Sequence, residues 1–241
     1  MIYKIESKTN PKIKEVVKLY KSNYQQEKGL YIAEGFHLFE MALENNLVEC
    51  VFTLKELKID VSIPQYVVTS EVMEKLSNME KSQGVLTIVR MRKEGNLTSN
   101  KILYLDDVAD PGNLGTIFRS ALAFGYKDVV LSKNACSAYN DKVVQASQGA
   151  IFKLNIVHDD GYFFPRVKNL SYKVVVTYLR DAISLENVPH LNKFVLVLGN
   201  EAHGVKDEVL EFADYKVKID ISDIESLNVA IAGAICMYNL K

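Results

Sequence analysis

The sequence predicts an α/β protein whose larger part is a parallel sheet covered by helices on both faces. Three observations carry that prediction. Apolar, β-branched runs stand at 102–105, 128–131, 173–177, 194–198 and 217–221, the pattern of strands buried on both faces. Helical stretches separate most of them, which is the alternation of strand and crossover helix. The rhythm begins only at Lys101, so what precedes it reads as a separate, smaller α/β unit.

In that first unit, residues 1–93, the stretches 12–20 and 36–43 carry helical periodicity. Residues 50–54 and 66–69 read as short strands, 71–76 as a short helix, and 84–90 as another strand. Residues 94–100 are polar and aperiodic and read as a linker. The second domain runs over 101–241. Its first strand is followed by Asp110-Pro-Gly-Asn-Leu-Gly-Thr-Ile-Phe-Arg-Ser-Ala121, a turn dipeptide leading into a helix. Leu114, Ile117, Phe118, Ala121 and Leu122 share one helical face. Asn113 and Arg119 are left off it.

In parallel sheets ligands bind beyond the carboxyl ends of the strands. Four segments there carry polar side chains: 106–113, 177–180, 199–204 and 222–228. They hold the glycines, amides, hydroxyls and carboxylates that a small-molecule site needs.

Other chemistries are disfavoured. There is no Gly-x-Gly-x-x-Gly, no phosphate-binding Gly-x-x-x-x-Gly-Lys-Ser/Thr and no Gly-x-Ser-x-Gly. His37, His158, His190 and His203 lack zinc-helix spacing, so no metal is expected. No apolar run reaches the ~18 residues of a membrane span, and the start lacks the apolar core of a signal peptide. Cys50, Cys136 and Cys236 are scattered and suit a reducing, cytoplasmic setting. The net charge of -1 does not announce a nucleic-acid binder, so any polyanion contact must be local. One local patch exists: Lys4, Lys8, Lys12, Lys14, Lys18 and Lys21, partly offset by Glu6 and Glu15. It is either a solvated helix face or a surface that tracks phosphates.

Three ordered motifs carry a family resemblance. They are the 110–121 segment above, Leu196-Val-Leu-Gly-Asn-Glu-Ala-His-Gly-Val205 and Glu225-Ser-Leu-Asn-Val-Ala-Ile-Ala-Gly-Ala-Ile235. Together they resemble the SpoU (TrmH-like) RNA ribose 2′-O-methyltransferases of the SPOUT class. Asn10-Pro-Lys-Ile-Lys14 and Tyr31-Ile-Ala-Glu-Gly35 resemble that family's small ribosomal-protein-like RNA-binding domain. The resemblance implies methyl transfer from S-adenosylmethionine to a ribose 2′-hydroxyl, in ribosomal RNA first and transfer RNA second. It also implies a trefoil knot closed by the last helix, 226–240, and a homodimer whose site draws on both chains.

By the same resemblance Arg119, Asn113, Glu201, Ser226 and Asn228 are the catalytic candidates. Thr177, Tyr178, Leu179, Leu198, Gly199, Asn200, Ile219, Ile221, Ser226 and Leu227 would hold the cofactor. Lys8, Lys12, Lys14, Lys18 and Arg119 would meet RNA. Plain structural roles stand beside these: a helix cap for Asn113 and Ser226, an interface ion pair for Arg119, a helix start at Glu201. Asn228, two residues inside an apolar helix, is a buried amide that needs partners. His203 reads as a loop residue without catalytic duty.

Two departures from the family pattern stand out. The segment 219–225 lacks the usual proline and glycine and is one residue shorter. Gln145 stands where an arginine is frequent. A rival reading is an RNA-binding protein that keeps the knot without activity; another is an α/β nucleotide-binding enzyme unrelated to RNA.

Overall fold

The structure is a computed structural model that describes residues 1–59 and 62–240. Contacts divide the chain into two compact units, Met1–Lys93 with Tyr139–Phe152, and Glu94–Ala138 with the remainder from Lys153.

The first unit contains β1 (Ile2–Ile5), α1 (Pro11–Lys18), α2 (Ser22–Lys28), β2 (Leu30–Glu34), α3 (Phe36–Glu44), β3 (Val48–Thr53), β4 (Gln65–Val68), α4 (Ser70–Leu76) and β5 (Val85–Arg90). Its strands lie in the order β1-β4-β3-β5-β2. β5 runs antiparallel to both neighbours, and the other pairings are parallel. α1 starts where Asn10 accepts the Lys12 amide at 2.9 Å and Pro11 takes the first helical position, which has no amide to satisfy. α2 ends on Gly29, whose φ of 63° suits a residue without Cβ. Ile13, Val16 and Leu19 pack with Phe52, Leu76 and Leu86 to form this unit's core. The periodicity of the sequence locates α1, α3 and α4. It does not reveal β1, α2 or β2, whose residues carry no clear apolar alternation.

The second unit begins with β6 (Lys101–Leu105), α5 (Pro111–Ala123) and β7 (Asp128–Leu131). The chain then returns to the first unit as α6 (Asp141–Ser147) and a 3-10 turn at Ala150–Phe152. There the Tyr139 ring lies 4.8 Å from that of Tyr31, and the Tyr139 carbonyl accepts from the Gln25 amide at 3.0 Å. The sequence places this segment, with Gln145, in the second domain; its contacts group it with the first. The second unit resumes with β8 (Asn155–His158), α7 (Phe163–Asn169), β9 (Lys173–Thr177), β10 (Ile183–Ser184), β11 (Phe194–Leu198), α8 (Asp207–Leu210), β12 (Tyr215–Lys218) and α9 (Val229–Asn239).

Its seven strands lie in the order β10-β12-β9-β11-β6-β7-β8, every pairing parallel. β6, β9 and β11 are the buried runs that the sequence predicts. β12 ends at Lys218, so Ile219 and Ile221 fall in a loop instead of a strand. The polar stretch 94–100 is fixed within this unit. Buried Asp128 accepts the amides of Thr98 and Ser99 at 2.9 and 2.7 Å, and Asn155 accepts that of Gly95 at 2.9 Å.

Candidate active site

The carboxyl ends of β6, β9, β11 and β12 open onto one cavity of 980 Å³. Its lining draws on the loops after each of those strands and on the start of α9. Of the residues expected there, Asn113, Glu201, Ser226, Asn228, Thr177, Tyr178, Leu179, Gly199, Asn200, Ile219, Ile221 and Leu227 all line it. Leu198 does not; it is buried under α9, where its Cδ1 fills the space a Cβ on Gly233 would need.

Each loop is shaped locally. After β11, Asn200 and Gly204 exchange two backbone hydrogen bonds of 2.9 Å, closing a tight turn. Gly204 has φ 70°, which favours glycine. Gly199 faces the backbone of Gly204 so closely that a Cβ would stand 2.3 Å from its carbonyl carbon. Glu201 therefore sits at the tip of a turn and begins no helix; α8 starts only at Asp207.

Glu201 is the hub of the polar rim. Its carboxylate accepts the amides of Ala109 and Asp110 at 3.2 and 3.1 Å and the Asn113 side-chain amide at 3.0 Å. Partial burial opposes its ionisation, but the hydrogen bonds from Asn113 and the backbone outweigh burial and hold the carboxyl below its ordinary value. A carboxylate only accepts, so Asn113 must turn its NH2 toward Glu201. Asn113 Oδ1 then accepts the Asn228 NH2 at 2.8 Å. Asn228 Oδ1 in turn accepts the amides of Ala230 and Ile231 at 2.9 and 3.3 Å. The charge on Glu201 thus orients both amides along one direction.

That geometry corrects three expectations. Asn228 is the N-cap of α9, not a residue inside it, and is exposed. Ser226 precedes the helix and does not cap it. Asp110, not Asn113, caps α5, accepting the Asn113 backbone amide at 2.7 Å. Caps bind the first amides of a helix through a short side chain, and sequence offers several such residues at each start. His203 lines the cavity although the sequence gives it no role, and so do Asp110, Arg180 and Lys218. Their signal was their position just after a strand.

Arg119 is placed differently. It lies on an exposed face of α5, outside the cavity lining of its own chain. Among the described residues its side chain forms no hydrogen bond or ion pair. α5 packs on α9, and the Phe124 and Tyr238 rings meet edge-on at 5.6 Å. Ile231, Ile235 and Tyr238 of α9 are exposed.

The lysines belong to the first unit. Lys14 and Lys18 are exposed on α1, and Lys12 is half-buried beside the Tyr66 ring. Lys18 lies over Tyr24, and Lys8 is 4.0 Å from Glu71. Among the described residues no group of His, Cys, Asp and Glu side chains has metal-site geometry, and no helix is long and apolar enough to cross a membrane.

Comparison with known proteins agrees with this layout. Residues 100–238 match the model of the SpoU rRNA Methylase family, and residues 10–87 match that of the MRM3-like substrate binding domain. The chain is 32% identical over 244 residues to the 23S rRNA (guanosine(2553)-2'-O)-methyltransferase RlmP of Bacillus subtilis, covering 98% of each. Among solved structures, an rRNA methyltransferase from Sinorhizobium meliloti superposes with a TM-score of 0.88 at 24% identity, over 99% of this chain and 97% of that one. The AdoMet-bound form of the Sinorhizobium meliloti protein gives 0.86 over the same shares, also at 24% identity. At that identity the likeness is one of fold.

Proposed function

The chain belongs to the SpoU rRNA methylase family, and on that premise we propose that it moves a methyl group from S-adenosylmethionine to a ribose 2′-hydroxyl of structured RNA. The observation that carries the reading is the Glu201–Asn113–Asn228 chain of hydrogen bonds. It joins all three sequence motifs at the rim of one cavity.

The residues present fit the cofactor. The cavity has room for it, and Gly199, whose lack of a Cβ lets the turn close on Gly204, lies in the lining. Thr177 to Leu179, Gly199, Asn200, Ile219, Ile221 and Leu227 would hold it. When bound, S-adenosylmethionine supplies an electrophilic methyl on a sulfonium. The protein must hold the hydroxyl in line and stabilise charge as it attacks.

The rim amides are suited to orientation, not to proton removal. Asn113 and Asn228 each spend one N–H and their carbonyl oxygen on the chain, which leaves one N–H apiece to donate. Glu201 already accepts three hydrogen bonds. Arg119 then supplies positive charge for an adjacent phosphate and the developing alkoxide. A guanidinium keeps its proton and is a poor base, so its role is electrostatic.

Arg119 does not line its own chain's cavity, and a second copy would bring it to one. The exposed Ile231, Ile235 and Tyr238 on α9 offer the apolar patch for such a homodimer. We further propose that α9 closes the family's trefoil knot, an exception to the usual absence of knots. Ribosomal RNA is the preferred substrate, because the full-length relative acts on 23S rRNA and residues 10–87 match a substrate-binding model; transfer RNA is second. Lys8, Lys12, Lys14 and Lys18 would track its phosphates. Three free cysteines suit the cytoplasm.

Calorimetric titration with S-adenosylmethionine and its demethylated product tests the site. Micromolar binding supports the reading. No binding of either would favour a protein that binds RNA without methylating it.

A further inference from the structure

A cation outside the cavity lining sits where the two pinned loops meet. Lys206 ends the loop after β11, and its Nζ lies 2.8 Å from Asp107 Oδ2 and 3.3 Å from Asp106 Oδ1. Its backbone amide also donates to Asp106 Oδ2 at 2.9 Å. Asp106 is only 1% exposed, and among the described residues its Oδ1 has no neighbour but Lys206 to offset its charge. Asp107 is held with φ 54°, an unusual backbone for a residue with a Cβ. Its Oδ1 accepts from Ser132 Oγ at 2.6 Å, its Oδ2 from Asn134 at 3.2 Å, and its carbonyl from the Asn200 side chain at 2.8 Å. Asn200 precedes Glu201 in the chain.

We propose that Lys206 is a positioning residue for methyl transfer: it neutralises the Asp106–Asp107 pair and thereby registers the loop bearing Glu201 against the loop bearing Asn113. The inference rests on the methyl-transfer reading of this cavity. Two carboxylates on consecutive residues, one of them buried, repel each other unless a cation lies between them. With the cation present, the loops are joined at two levels. Lys206 and Asn200 grip Asp106 and Asp107 below; Glu201 grips Ala109, Asp110 and Asn113 above. Without it, the pair relaxes either by taking up a proton or by parting the loops. The latter displaces Glu201 and with it the orientation of both rim amides.

The other ionisable groups facing the pair do not replace the cation. Tyr104 lies behind it, its hydroxyl donating to Asp159 at 2.8 Å. Burial, that hydrogen bond and the surrounding carboxylates all push its pKa up, so it stays neutral.

The test uses the full chain with S-adenosylmethionine and ribosomal RNA, and compares Lys206→Met, Lys206→Arg and the double variant Asp107→Asn/Lys206→Met. Loss of the cation should lower kcat on the order of 10-fold or more near pH 8, since small displacements of positioning groups cost that much. KM for the cofactor should change far less, because Lys206 does not touch the cavity. The deficit should shrink as pH falls and Asp107, whose pKa Lys206 helps hold down against burial, takes up a proton. Lys206→Arg and the double variant should recover most of the rate, one by restoring the cation and the other by removing a charge. Amide hydrogen exchange at Ala109 and Asp110 should quicken in Lys206→Met alone, and this readout needs no turnover. A pH-independent loss that the double variant does not rescue would overturn the proposal. So would unchanged kcat, or unchanged exchange at both amides. If the wild-type protein transfers no methyl group, the methyl-transfer reading fails, and the exchange result still decides whether Lys206 registers the loops.

Discussion

The cavity has two walls built on different principles. One wall, formed by the loops after β6 and β11, is fastened by side-chain hydrogen bonds through Glu201, Asn200, Asp107 and Lys206. The other, residues 220–227 between β12 and α9, is exposed over nearly its whole length. Among the described residues it forms no side-chain hydrogen bond and no loop backbone hydrogen bond. Segments with few buried contacts and few internal hydrogen bonds open at little cost in free energy. The fastened wall therefore holds its side chains in register, and the open wall opens more readily. The open wall is also the segment that departs from the family pattern.

The largest expected effect comes from the fastened wall's tightest point. Gly199→Ala would put a Cβ 2.3 Å from backbone that cannot move aside. Calorimetry should then show cofactor binding lost, and a retained affinity would show that the turn is not part of the pocket. Next, Arg119→Ala should lower kcat by about 10²–10³-fold, the cost of removing one charge-stabilising group. Cofactor affinity should barely change, because Arg119 lies outside the lining. Unchanged turnover would remove Arg119 from the mechanism. Glu201→Gln should cost somewhat less, about 10²-fold in kcat, by letting the Asn113 amide reverse; equal rates for the two proteins would disconnect the amide chain from catalysis.

Smaller effects follow in stability. Gly233→Ala would drive a Cβ to 2.5 Å from Leu198 Cδ1. That overpacking should destabilise by about 1–3 kcal/mol, read from denaturant titration. Glu201 also sets a pH dependence. Its folded pKa is below the ordinary 4.5, so its contribution is present above pH 4.5 and is lost as pH falls through the lower folded value. The acid limb of stability should flatten in Glu201→Gln; an unaltered limb would show that the carboxylate holds nothing. On the open wall, Asp223 has φ 64° and no partner among the described hydrogen bonds. Asp223→Gly should change stability by less than about 0.5 kcal/mol; a larger loss would show that this wall is fastened too.

The same contrast explains what the sequence could tell. The buried strands of the second unit were legible because Val174 to Val176 and Phe194 to Leu198 are apolar on both faces. The approximate ring of polar residues was legible because it follows those strands. The bonds within the ring were not. Two nearby residues at each helix start can cap, Asp110 or Asn113 and Ser226 or Asn228, and only the fold assigns that role to Asp110 and Asn228. Lys206 gave no signal, because its meaning depends on two aspartates a hundred positions away. Nor did residues 139–152 announce their grouping with the first unit, since Tyr139 and Tyr31 meet only in three dimensions.

The most direct test is transfer itself. The purified protein would be incubated with methyl-labelled S-adenosylmethionine and ribosomal RNA lacking its own modifications, and the RNA then digested to nucleosides. Label recovered in a single 2′-O-methylated nucleoside, at a rate about 10²–10³-fold lower with Arg119→Ala, is the expected result. Binding of S-adenosylmethionine without any label in ribose, from ribosomal or transfer RNA, would contradict it.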